Sequence, residues 1–385
     1  MLKTVFIINS LAGGGAERIM TRLITHLPRD NKELHLILLD DDPEAYGVPE
    51  WVNLHRLNTR GSLVRGFFSL RKLMQQLQPD VVLSFLTRSN VLAIATRAPK
   101  RTRCVISERV HTSSHHSETL SGQLGRVVTR LFYPHADAVI AVSEGIARDL
   151  SDNYAVDATK IVVIPNPIDA AEVHARAAEP TDNTTLSGPI VVAMGRLVPN
   201  KNFAMLIEAF GRLNSRANLL ILGDGPLRED LQGQIDAAGL TSRVHLRGFQ
   251  ANPFATIASA DCFVLSSNGE GFPNGLIEAM ILGAPVISTN CHSGPAEILD
   301  DRPHFEIEGP TECKFGLLVP TNDPAAMAEA LARVLAQGEY EGRSQRAIAG
   351  AARYGLESTI ATYWSVISGE PDRKSQRSAV PQSAK

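Results

Sequence analysis

Four cysteines in 385 residues, Cys104, Cys262, Cys291 and Cys313, lie far apart, form no CxxC pair and sit in or beside apolar runs. That scarcity excludes a disulfide framework and a cysteine-ligated zinc site, and it is the usage of a cytoplasmic chain. No uninterrupted apolar run approaches the roughly 18 residues of a membrane-spanning helix. The opening MLKTVFIINS is too short an apolar run for a signal peptide. Low-complexity blocks and repeats of solenoid period are missing too, which rules out repeat architectures. No basic stretch is interleaved with aromatics, so the chain lacks a nucleic-acid binder's usual signature.

What is present is a chain too long for one core and, at 44 % hydrophobic residues, apolar enough to fill two. The net charge of −3 conceals an asymmetry. Between Trp51 and His135 there are 13 Lys/Arg against Asp80, Glu108 and Glu118, an excess of ten positive charges, so the remainder carries −13. That segment is expected to attract anions such as phosphates or acidic lipid headgroups.

Continuous apolar runs alternate with helical periods from the first residues: Thr4 to Asn9, LHLILLD, Val81–Phe85, Arg103–Ser107 and Ala138–Val142. The pattern restarts after residue 188 with IVVAMG, LLILGDG, VHLRGF, CFVLSS, APVIST and FGLLVP. Such runs predict parallel sheets covered on both faces, hence an α/β chain of two Rossmann-like domains. The prolines of VIPNPID (Val163–Asp169) forbid a helix and mark the junction, with the polar run AEPTDNTTLSGP after it. The expected domains are 1–168 and 169–354, a C-terminal helix 355–368 that can return to either half, and a polar, unstructured tail 369–385.

In open α/β sheets the ligand sits at the carboxyl ends of the strands, so the strand exits matter most. MGRLVPNKN puts Arg196 and Lys201 at one exit beside a helix start, where two cations and free N–H donors suit a diphosphate. SNGEGFPNGLIEAM has the same topology: Gly271 and Gly275 admit close backbone approach, and Pro273 suits the first turn of a helix. Its two carboxylates, Glu270 before the helix and Glu278 about a turn into it, can reach different ends of one ligand. Read as structure alone, Glu270 is a loop cap and Glu278 a solvated helix residue. In NCHSGPAEIL, Glu297 is explained by capping. The first exit, NSLAGGGAER (Gly13, Gly14, Gly15), resembles a dinucleotide loop, with Asp40–Asp42 where a nicotinamide enzyme has its acidic residue. Arg18 stands where the third glycine is needed, however, giving GxGxxR. The same aspartates form a DxD, a metal-binding signature of single-sheet glycosyltransferases, but on a two-sheet chain they read as a solvated strand end.

Gly195-Arg196 with Lys201-Asn202, the Glu270-to-Glu278 spacing in EGFPNGLIE, VIPNPID and GAPVIST together resemble the retaining glycosyltransferases of family 4, up to about Trp364. GGGAER and SGPAEIL look more narrowly like bacterial members that extend lipid-linked oligosaccharides. The resemblance implies the GT-B fold, two Rossmann-like domains facing each other across a cleft. It implies transfer of a hexose or N-acetylhexosamine from a nucleoside diphosphate sugar, UDP by expectation, to a polyprenyl diphosphate-linked saccharide, with retention and without a metal or other cofactor. Glu270 would contact donor-sugar hydroxyls and Glu278 the ribose. Arg196, Lys201 and the amides of Asn274, Gly275 and Leu276 would hold the diphosphate, with Gly195, Gly271 and Phe272 lining the donor site. The first domain would take the acceptor, its Gly13–Gly15 loop approaching the reacting centre, and Arg109 or His111 in VISERVHTSS would face the sugar. The protein would work in the cytoplasm, peripheral on the inner membrane face. RGSLVRGFFSLRKLMQQL (Arg60 to Leu77) offers Phe67, Phe68 and Leu73 beside Arg65, Arg71 and Lys72 for an anionic surface, although a helix with its apolar side in the core reads the same. Two rival functions stand: a nicotinamide-dependent oxidoreductase using the first glycine loop, and a non-catalytic anion- or membrane-binding module.

Overall fold

A computed structural model describes residues 2–28, 32–98, 101–115, 120–180, 186–336 and 339–369. Most of the expected polar tail lies outside the described residues, as do residues 181–185 of the polar run. The chain forms two compact units. One runs to Val142, resumes over Ala147–Pro167 and takes back the chain from Glu357; the other holds Ser143–Ile146 and Ile168–Leu356. The sequence expectation puts these crossings at 168/169 and 354/355.

The first unit contains β1 (Leu2–Ile8), β2 (Lys32–Leu38), β3 (Asn53–Arg56), β4 (Val81–Phe85), β5 (Arg103–Glu108), β6 (Ala138–Ala141) and β7 (Ile161–Val163). They make one sheet in the order β3-β2-β1-β4-β5-β6-β7, every pair parallel. The central strands are rows of Val, Ile and Leu buried on both sides, as helices covering both faces require. Strand β3 (NLHR) has no apolar run to announce it and β7 only the short run IVV; at the sheet's two edges, both are at most partly buried.

The second unit contains β8 (Ile190–Met194), β9 (Asn218–Leu222), β10 (Val244–Gly248), β11 (Cys262–Leu265), β12 (Val286–Thr289), β13 (Thr311–Glu312) and β14 (Leu317–Val319). Their order is β10-β9-β8-β11-β12-β14-β13, parallel except for the short antiparallel edge strand β13. In both sheets the order reverses beside the first strand, between β1 and β4 and between β8 and β11. The two exits that diverge there open a crevice, the usual ligand position of a doubly wound sheet.

The amphipathic stretch becomes the helix Leu63–Leu77, starting later than Arg60 because Ser62 caps it by accepting from the Arg65 N–H at 3.3 Å. Its core side is Gly66, Leu70 and Met74. No helix among the described residues is long and apolar enough to cross a membrane. All four cysteines are free and buried, and burial pushes the thiols of Cys104, Cys291 and Cys313 up to about 12.

Candidate functional sites at two strand crossovers

At the β8/β11 crevice of the second unit, the two exits that carried the motifs are stitched together. Asn200 Nδ2 donates to the Gly269 carbonyl at 2.6 Å, and the Asn268 N–H to the Asn200 carbonyl at 2.8 Å. Asn202 Nδ2 reaches Asn268 Oδ1 at 3.0 Å, and Ser266 Oγ donates to the Lys201 carbonyl at 2.8 Å. Asn202 adopts φ +48°, its side chain capping the next helix through the Met205 N–H. Gly223, at φ +137°, lies so close to this loop that a Cβ there would fall 2.0 Å from the Gly195 carbonyl oxygen.

This scaffold brings Lys201 Nζ to within 2.5 Å of Glu270 Oε1, and Ser267 Oγ donates to the same oxygen at 2.6 Å. Both side chains of the pair are largely buried, which strengthens their attraction over that of a surface pair. Arg196 is exposed, with no side-chain partner among the described residues. The helix Asn274–Ile281 starts at the crevice without a side-chain cap. Pro273 stands just before its first turn rather than in it. The Leu276 N–H is donated to the Pro273 carbonyl at 3.1 Å, so of the three amides expected to cradle a diphosphate that one is engaged in the turn itself. Glu278 is 1 % exposed. That overturns its reading as a solvated helix residue, because a carboxylate taken that far from water is costly unless something pairs with it. Phe272, expected among the donor contacts, turns its ring against Tyr354, centroids 5.2 Å apart.

The β12 exit supports the same turn. Ser293 Oγ donates to the Glu270 carbonyl at 2.5 Å. Gly294 (φ +92°) lets Pro273 and Gly271 pack where a side chain would stand. Glu297 does more than cap its own helix: Oε1 accepts from the Gly145 N–H at 3.0 Å and Oε2 from the Glu144 N–H at 2.6 Å, both in the segment the second unit takes in. Burial raises its pKa, and those amides offset part of the rise.

In the first unit, Gly13 (φ +111°) turns the chain and the helix Gly15–His26 begins at the Gly14 cap. The Glu17 carboxylate lies over Gly14. Its pKa is raised by burial, against the pull of its own N–H and of Arg109. Asp40 is not a solvated strand end. It pairs with Arg88 and accepts from Thr59 Oγ1 at 2.8 Å and the Gly61 N–H at 3.0 Å. Burial pushes its carboxyl up, but these hydrogen bonds hold it below its usual range.

Arg109 is also placed differently from the expectation that it faces a sugar. It is buried, donating to Ser107 Oγ at 3.2 Å, to Tyr363 Oη at 3.0 Å and to Asn166 Oδ1, with its guanidinium 4.4 Å from the Phe85 ring centroid. An arginine so engaged staples the C-terminal helix and the linker to the first unit. His111 is half-buried, its Nδ1 3.9 Å from Asp149 Oδ2. The exit of β4, Leu86 to Asn90, carries no motif in the sequence, yet Thr87, Arg88, Ser89 and Asn90 all bond through their side chains to neighbouring strand exits.

Comparison with known proteins agrees with this architecture. The family model described as Glycosyltransferase Family 4 matches residues 13–172, and that described as Glycosyl transferases group 1 matches 188–337. The chain is 31 % identical over 347 residues to the N-acetylgalactosamine-N,N'-diacetylbacillosaminyl-diphospho-undecaprenol 4-alpha-N-acetylgalactosaminyltransferase of Campylobacter jejuni, covering 87 % of this chain and 90 % of that one. It is 29 % identical over 334 residues to a lipopolysaccharide core biosynthesis glycosyltransferase of Rhizobium meliloti, covering 86 % and 88 %. Among solved structures, the Anabaena protein HepE in complex with UDP superposes with a TM-score of 0.75 at 19 % identity, over 96 % of this chain and 100 % of that one, a likeness of fold. These matches lend no support to the oxidoreductase or to the non-catalytic module.

Proposed function

The chain belongs to glycosyltransferase family 4, and from that premise we propose that it moves a hexose or N-acetylhexosamine from UDP to a lipid-linked saccharide, with retention and without a metal. The observation that carries the donor site is the Lys201–Glu270 pair beside Arg196 at the β8/β11 crevice. Glu270 takes hydroxyls of the sugar and Glu278 those of the ribose. Lys201, Arg196 and the first amides of the helix Asn274–Ile281 neutralise the departing diphosphate, fixed charges aimed where negative charge develops. The C1–phosphate bond breaks as the acceptor oxygen bonds to C1 on the same face. The acceptor's proton passes to the leaving phosphate oxygen, so no protein base is required. Retention is supported by the alpha product in the name of the Campylobacter relative, since the common UDP-hexosamines are α-linked. The lipid-linked acceptor follows that name too, and is assigned to the first unit.

Calorimetry tests the donor assignment. UDP is expected to bind in EDTA, more tightly than GDP or NAD, and Arg196→Ala to weaken it by roughly tenfold, the effect of one charge-assisted contact. Binding that needs a divalent cation, or that favours NAD, would overturn the proposal.

An anionic bilayer is the surface on which such an acceptor is met, and the first unit has a fit for it. On the helix Leu63–Leu77, Val64 and Phe68 are 68 % and 67 % exposed. On the helix Leu120–Phe132, Leu124, Val127 and Leu131 are exposed together. The two helices carry Arg65, Arg71, Lys72, Arg126 and Arg130 and no acidic residue. Co-sedimentation with phosphatidylglycerol vesicles is expected, reduced by high salt and by Phe68→Glu with Leu124→Glu. Equal recovery with neutral phosphatidylcholine vesicles would remove the charge from the account.

A further inference from the structure

The turn after β4 is strained and over-determined at once. Leu86 sits at φ +74°, ψ 144°, a conformation costing a side-chain-bearing residue about 1–3 kcal/mol and maintained only when its surroundings impose it. The four residues that follow supply that imposition. Ser89 Oγ and Arg88 Nε donate to Asn9 Oδ1, at 2.9 and 3.2 Å, and Arg88 also pairs with Asp40. Asn90 Oδ1 accepts from Ser84 Oγ at 2.8 Å, while its Nδ2 donates to the Ser107 carbonyl and to Tyr133 Oη, both at 3.0 Å. The Tyr133 hydroxyl in turn donates a hydrogen bond to Glu108 Oε2, to which Thr87 Oγ1 also donates at 3.5 Å. The other oxygen, Glu108 Oε1, accepts from the N–H groups of Arg109 at 3.0 Å and Val110 at 3.4 Å.

Ser84, Asn90, Ser107, Glu108 and Tyr133 are all fully buried. The relay from Ser84 through Asn90 and Tyr133 ends on that one carboxylate. Burial pushes up both the Glu108 carboxyl and the Tyr133 phenol, so the arrangement is an expensive way to fill a core that apolar side chains could fill. Its place distinguishes it from a core detail. It lies at the carboxyl ends of β4 and β5 and holds the crevice turn Leu86–Asn90 together with the start of the segment leading to His111.

We infer that Glu108 is a positioning residue for the acceptor step, holding the Leu86–Asn90 turn and the Arg109–Val110 amides in the geometry that the acceptor engages. This rests on the assignment of the acceptor to the first unit. Glu108 itself, sealed under both turns, touches no substrate.

The test uses the full chain with UDP-GalNAc and the diphospho-undecaprenol acceptor named for the Campylobacter relative. Glu108→Gln puts an N–H where Tyr133 donates, and Tyr133→Phe deletes the donor with almost no change of shape. For both variants, shown by thermal melting to be folded at the assay temperature, UDP affinity is expected to stay within about twofold of wild type, because that site lies in the other unit. Turnover of the acceptor is expected to fall tenfold or more. Turnover within threefold of wild type in both variants overturns the inference and reduces the network to packing. If wild type binds UDP but transfers nothing to this acceptor, the acceptor assignment fails and this inference with it.

Discussion

Lys201→Ala is expected to weaken UDP binding and slow sugar transfer together, each by roughly 10- to 100-fold, the equivalent of about 1.5–3 kcal/mol for a hydrogen bond to a charged group. Two effects act in the same direction. The variant removes a cation from the proposed diphosphate site, and it leaves Glu270, only 11 % exposed at its side chain, with Ser267 as its partner and no ammonium beside it. An uncompensated carboxylate next to an incoming diphosphate repels it, so the loss should grow as ionic strength falls. Titration calorimetry at two salt concentrations reads both parts. Unchanged UDP affinity and turnover would remove Lys201 from the site.

Gly223→Ala should have the largest effect on stability. The added methyl would sit 2.0 Å from the Gly195 carbonyl oxygen, and φ +137° is strained for any residue with a Cβ. Neither neighbour can yield cheaply. Gly195 is tied to the Leu222 carbonyl by its N–H at 2.9 Å, and Gly223 to the Gly248 carbonyl at 2.8 Å. Strain and overpacking together cost about 2–6 kcal/mol, which for a unit of this size lowers its melting temperature by roughly 5–20 °C. The loop that shifts carries Arg196 and Lys201, so UDP binding should weaken as well. A melting temperature within about 2 °C of wild type together with normal UDP binding would show that the loop relaxes freely.

The core of both sheets was legible because strands covered on both faces leave continuous apolar runs: Val81–Phe85 could be bounded to the residue, and all six runs of the second half became strands. Short edge strands such as β3, with mixed exposure, leave no such trace. The two loops of the proposed donor site stood out because glycine, proline and charge are concentrated within a dozen residues. The β4 exit could not, since LTRSN has neither glycine nor proline and leucine argues against a positive φ. Arg109 and Asp40 went astray for a different reason. Residue type suggests what a charged group can do, while its partners, Asn166 and Tyr363 for the one and Arg88 for the other, stand 57, 254 and 48 positions away. Glu278 could have been read more boldly, because the residues around it in LIEAMI are apolar on every side of the helix.

The helix Leu356–Ser368 belongs, from Glu357 on, to the unit that the chain began. Tyr363 is fully buried there and bonded to Arg109; Trp364 lies 3.7 Å from Lys32 Nζ, and Arg103 donates to the Val366 carbonyl at 3.1 Å. On the ribosome, therefore, the first unit is begun before the second and completed only after it. At ordinary elongation rates its Arg109 and Arg103 wait roughly 10–40 s while Ile168–Leu356 is synthesised, with their last partners not yet in existence.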